Sequence, residues 1–165
     1  PHHKPQSHLW ALLCLELLEK MSRNFPSQCE NERTAFKSTQ DIVQFSFSQK
    51  ENAKVTIQEI LQEIFTIFSK NLTQTSWDGS LIVRFQNGLY QQIHRLEEYV
   101  QMEKELTSLE SEDLHLTNWT VKKYFQGIDA FLKEKQYSQC AWKVIHMEMQ
   151  RCFLLIEELR KRLKN

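Results

Sequence analysis

No proline follows Pro26, and the three glycines, Gly79, Gly88 and Gly127, are too sparse to punctuate a set of short strands. Proline and glycine are the residues that close tight turns. An all-β domain needs such a turn roughly every ten residues. The chain must therefore run in long elements with few connections, which favours helices.

The apolar residues repeat at helical spacing. Trp142, Ile145, Met149, Cys152, Ile156, Leu159 and Leu163 recur at steps of three and four, the seam of a helix in a bundle. Ser138 stands where an N-cap is expected. The basic run "RKRLK" falls at the carboxyl end, where the helix dipole favours positive charge, and reads as a solvated helix end.

Four earlier helices follow from the same reading. The first covers about 6–23, with Leu9, Leu13, Leu17 and Met21 as its stripe, and Pro26 stops it. The second, about 51–70, is apolar around much of its circumference through Val55, Ile57, Ile60, Leu61, Ile64, Phe65, Ile67 and Phe68. It is expected to be the most buried. The third covers about 80–105 through Leu81, Phe85, Leu89, Ile93, Leu96 and Val100, and the fourth about 118–134 through Val121, Phe125, Ile128 and Leu132. The stretch "TSLESEDLHL" between them reads as a polar loop.

The connection over 25–50 is long and carries Phe36, Ile42, Val43, Phe45 and Phe47, as a strap lying on a bundle would. A long first crossover lets the first two helices run parallel. The expected fold is all-α: a five-helix long-chain cytokine bundle, up-up-down-down, forming a single domain over 1–165.

Lysine plus arginine and aspartate plus glutamate balance at 21 each, which argues against a nucleic-acid or membrane-surface binder. No span approaches the roughly 20 apolar residues of a membrane helix, so no membrane insertion is expected. No charged head and apolar core precede a cleavage site, so in a secreted chain Pro1 lies at or after the cut. There is no glycine-rich phosphate loop, nucleophile elbow or CxxC motif. The single Glu112-Asp113-Leu114-His115 falls short of the two such motifs a di-iron bundle needs. No catalytic, metal or cofactor residues are expected, and the chain does not read as an enzyme.

Four cysteines, Cys14, Cys29, Cys140 and Cys152, allow three pairings. If the first and last helices are antiparallel neighbours, Cys29 and Cys140 meet at one end of the bundle. The same geometry permits a second bridge, Cys14–Cys152, provided both side chains point directly across. The favoured arrangement is a Cys29–Cys140 bridge. Cys14 and Cys152 remain either a second bridge or two buried thiols. The sequons Asn71-Leu72-Thr73 and Asn118-Trp119-Thr120 are candidate glycan acceptors, the first in a loop and the second at a helix start.

The residues "KKYFQGIDAFLKEKQYSQCAWKVIHMEMQRC" resemble the last two helices of the type I interferons. "EILQEIFTIFSKN", "SWDGSLIVRFQNGLYQQIHRLEEYV" and "MSRNFPSQCENERTAF" are similar to earlier parts of that family. The likeness covers nearly the whole chain and is weakest before Leu9 and over 37–50. The cysteine pattern resembles the beta, epsilon and kappa group, and "MSRNFPSQC" and "IDAFLKEKQYS" lean towards kappa.

The resemblance implies a secreted, extracellular, monomeric cytokine that brings together the two chains of the interferon alpha/beta receptor. It implies Janus kinase–STAT signalling and an antiviral response. For the high-affinity receptor chain the matching positions are Arg33, His146, Met147, Gln150, Arg151 and Leu155. For the low-affinity chain they are Phe65, Thr66, Lys70, Leu81, Gln86, Tyr90 and Lys122. Glu30 stands where the family has leucine, and His146 where it has arginine. The alternatives are a divergent helical cytokine using another receptor pair, an enzyme on a helical bundle, and an intracellular helical scaffold.

Overall fold

A computed structural model describes residues 13–20, 53–69, 79–106 and 111–163. All of them lie in helices or in the turns that close them. The helices are α1 over 13–20, α2 Ala53–Ile67, α3 Gly79–Leu106, α4 Ser111–Glu134 and α5 Gln139–Leu163. The expected bounds of α2, α3 and α5 hold to about one turn, and the ends of the first helix lie outside the described residues. The exception is α4, which begins at Ser111. Most of the predicted polar loop is therefore helix. Glu112 and Asp113 stand in its first turn, where the positive end of the helix dipole favours acids. Acidic character was misread as loop.

Helix α2 packs against α3, α4 and α5, and α4 packs against α5. This central place explains its near all-round apolarity: Val55, Ile57, Ile60, Leu61, Ile64, Ile67 and Phe68 are all buried. Buried Gln58 donates its amide to the Ile93 carbonyl of α3 at 3.4 Å. Cys14, Leu17 and Leu18 of α1 join the same core.

An aromatic chain ties the helices together. Fully buried Trp142 of α5 lies 6.2 Å from the Phe68 ring just past α2. Phe68 meets Phe85 of α3 at 4.8 Å, and Phe85 meets Phe153 of α5 at 5.8 Å, both edge to face. Such geometry suits the ring quadrupoles and adds about 0.5–1.5 kcal/mol per pair beyond area burial.

The link from α4 to α5 is a tight turn built without glycine. The Tyr137 amide donates to the Leu132 carbonyl at 2.8 Å, and the Gln136 amide to that of Lys133 at 3.0 Å. This is a Schellman ending, and it requires left-handed backbone. Gln136 and Tyr137 supply it at φ 56° and 55°. Tyr137 packs on the core with its ring 6.3 Å from Trp142. Ser138 then opens α5 as expected, its hydroxyl accepting from the Ala141 amide at 3.2 Å.

Candidate functional site

Helix α5 is enclosed on most sides. Ala141, Trp142, Val144, Ile145, His146, Glu148 and Met149 are all buried. What remains outward is a narrow stripe: Lys143, Met147 and Gln150 are half-buried, while Arg151, Leu154, Glu158 and Lys161 are exposed. Two basic residues near its end are matched by acids, Arg160 on Glu157 at 3.1 Å and Lys161 on Glu158 at 3.6 Å.

Of the α5 positions expected to face a partner, Met147, Gln150 and Arg151 lie on this stripe. His146 and Leu155 do not, being only 2% and 4% exposed. The correction has a physical cause. One apolar seam marks one packed face, but α5 contacts both α2 and α4, so the buried arc extends past the seam to positions 146 and 155. Burial also lowers the His146 pKa from 6.5 to about 4, keeping the imidazole neutral at physiological pH. Leu154, 57% exposed beside Arg151, was missed. Its place outside the three-four seam was the available signal.

A second surface lies where α2 meets α3. Half-buried Phe65 contacts Tyr90, ring centroids 6.4 Å apart, and Tyr90 is 54% exposed. Thr66 is exposed, with its hydroxyl on the Gln62 carbonyl at 3.0 Å. Gln86, one turn before Tyr90, donates its amide to the Phe68 carbonyl and binds α3 to the end of α2. Leu81 is half-buried against the core. These bonds bring Phe65, Gln86 and Tyr90 together on one face. Lys122 is exposed on α4, a different helix from those that carry the cluster. Lys70 and Arg33 lie outside the described residues.

Cys14 and Cys152 are free and buried, and burial pushes both thiols up to about 12. The second bridge left open by the sequence is not formed. Cys140 is disulfide-bonded, and Cys29 lies outside the described residues. Asn71 also lies outside them. Asn118 falls well inside α4 instead of at its start, half-buried, with its side-chain oxygen enclosed.

Among the described residues there is no cluster of histidine, cysteine, aspartate or glutamate able to hold a metal. No described helix is long and apolar enough to cross a membrane. The arrangement offers two outward surfaces of mixed apolar and polar side chains, suited to protein contact.

Comparison with known proteins gives these surfaces a context. The interferon alpha/beta domain family matches residues 4–163. The chain is 36% identical to interferon beta of Tachyglossus aculeatus aculeatus over 163 residues, covering 96% of this chain and 84% of that protein. It is 36% identical to interferon tau of Cervus elaphus over 152 residues, covering 91% and 76%. It is 34% identical to interferon omega-1 of Homo sapiens over 166 residues, covering 98% and 83%. The fold is similar to that of zebrafish interferon 2, with a TM-score of 0.61 at 23% identity, covering 89% of this chain and 94% of that one. These relatives are cytokines and not enzymes, and the chain belongs with them to the type I interferon family.

Proposed function

We propose that this protein is a secreted type I interferon of one domain that binds the two chains of the interferon alpha/beta receptor and starts Janus kinase–STAT signalling. The observation that carries the reading is family membership across 4–163. The two outward faces add support. Each presents a side chain of a type enriched among interface hot spots, Arg151 on α5 and Tyr90 on α3, with apolar Leu154 and Phe65 beside them. The α5 stripe, with Arg33 and without His146 or Leu155, is the proposed contact for the high-affinity chain. The α2–α3 face, with Leu81, Lys70 and Lys122, is the proposed contact for the low-affinity chain. A bridge from Cys140 to Cys29 would bring the loop bearing Arg33 to the start of α5. The kappa-like subtype, the monomeric state and glycan attachment at Asn71 belong to the same proposal. Asn118 is half-buried within α4, which disfavours glycan attachment there.

The test is surface plasmon resonance against each purified receptor ectodomain. Arg151→Ala and Leu154→Ala should weaken binding to the high-affinity chain about thirtyfold where they are anchors and spare the other. Tyr90→Ala should do the reverse. Binding to neither chain by the folded wild-type protein would favour the alternative, a helical cytokine with another receptor pair.

A further inference from the structure

Tyr90 is more than half exposed, yet its ring is not left to itself. Phe65, fixed by its packing on the core, meets it at 6.4 Å and 43°. His94, one turn further along α3, meets it at a centroid distance of 4.3 Å and 64°, edge to face. The imidazole is held in turn, its Nδ1 3.2 Å from Glu97 Oε2. Four side chains thus form a continuous line across the face, from a core-anchored ring to a solvent-exposed carboxylate.

An exposed aromatic side chain normally samples several rotamers. Contacts that hold one rotamer lower the entropy lost on docking. The His94 and Glu97 side chains are 53% and 66% exposed, and polar contacts that exposed add little to stability. Its consequence is orientation rather than fold strength.

We infer that His94, braced by Glu97, is a positioning residue that pre-sets the Tyr90 ring for the partner docking on the α2–α3 face. The inference rests on the proposed receptor-binding role of that face. His94 acts through Tyr90 and need not touch the partner. Any ring that fills the same edge-to-face place should serve, whereas an aliphatic stub should not.

The experiment compares wild type, His94→Ala, His94→Phe, Glu97→Ala and Tyr90→Ala by surface plasmon resonance against the low-affinity receptor ectodomain. Thermal unfolding serves as the fold control, and the Tyr90 ring resonances are followed by NMR. His94→Ala should weaken binding about two- to tenfold, the loss expected when one side chain must be ordered on association. Glu97→Ala should do so less, and His94→Phe should restore most of the affinity. The Tyr90 ring signals should move in His94→Ala and the melting temperature should not. The inference is overturned if His94→Ala binds as wild type while Tyr90→Ala does not. It is also overturned if His94→Phe is as weak as His94→Ala, because the imidazole would then contact the partner itself. If Tyr90→Ala leaves binding unchanged, the receptor-binding reading of the face fails first and takes the inference with it.

Discussion

The Tyr124 hydroxyl donates a hydrogen bond to Glu148 Oε1 at 2.8 Å, joining α4 to α5 inside the core. Cys152 Sγ stands 3.9 Å from the same hydroxyl as a weak donor. Burial, then the neighbouring Cys152 and Glu148, push the phenol far above its ordinary pKa, so it is a protonated donor at neutral pH.

Removing that donor leaves Glu148 Oε1 enclosed without the Tyr124 bond. Tyr124→Phe should therefore cost about 1–3 kcal/mol, the penalty of a buried acceptor losing its donor. Urea unfolding of the two proteins measures it. An unchanged midpoint would mean that Glu148 satisfies itself from other neighbours.

His146 contributes to the loss of stability on the acid side. Its folded-state pKa is about 4, below the 6.5 of an unfolded histidine. Between those values the unfolded chain takes up a proton that the native chain refuses. The contribution of His146 to stability should thus fall as pH drops below 6.5 and level off near 4. The total loss is about 3 kcal/mol, because each tenfold difference in proton affinity is worth about 1.4 kcal/mol. Chemical unfolding at pH 7.5 and 4.5 should show His146→Phe losing less than wild type over that window.

The turn before α5 holds Gln136 in left-handed backbone at φ 56°, where a side chain carries a steric cost that glycine escapes. Gln136 is exposed, so nothing is lost from the core on replacing it. Gln136→Gly should stabilise the protein by about 1 kcal/mol. Differential scanning calorimetry would show a higher melting temperature.

Cys14 and Cys152 should be silent in the native protein. Their thiols are enclosed and pushed up to about 12, which leaves little reactive thiolate at neutral pH. A thiol-specific reagent should find no reactive group in the folded, oxidised protein and both free thiols once it is unfolded without reductant.

The long elements were legible because proline and glycine are scarce and the apolar stripes are regular. The central place of α2 followed from its all-round apolarity. What escaped was how many neighbours each helix has. The family resemblance put His146 among the partner-facing positions, and a single seam says nothing of the second packed face that buries it, whereas exposed Leu154 stood outside that seam and outside the matched positions. The start of α4 escaped because Glu112 and Asp113 suit both a polar loop and a helix's first turn. The Schellman turn at Gln136 gave no warning, because the glycine that usually marks it is absent.

The central claim is that this chain signals as a type I interferon, and one cell measurement addresses it directly. Purified protein is added to matched cell lines that have both chains of the interferon alpha/beta receptor, lack the high-affinity chain, or lack the low-affinity chain. STAT phosphorylation is then followed over the first hour. The account predicts a dose-dependent signal in cells with both chains, strongly reduced when either is missing, and right-shifted for Arg151→Ala and Tyr90→Ala. Equal phosphorylation in cells lacking either chain, or none in cells with both, would contradict it.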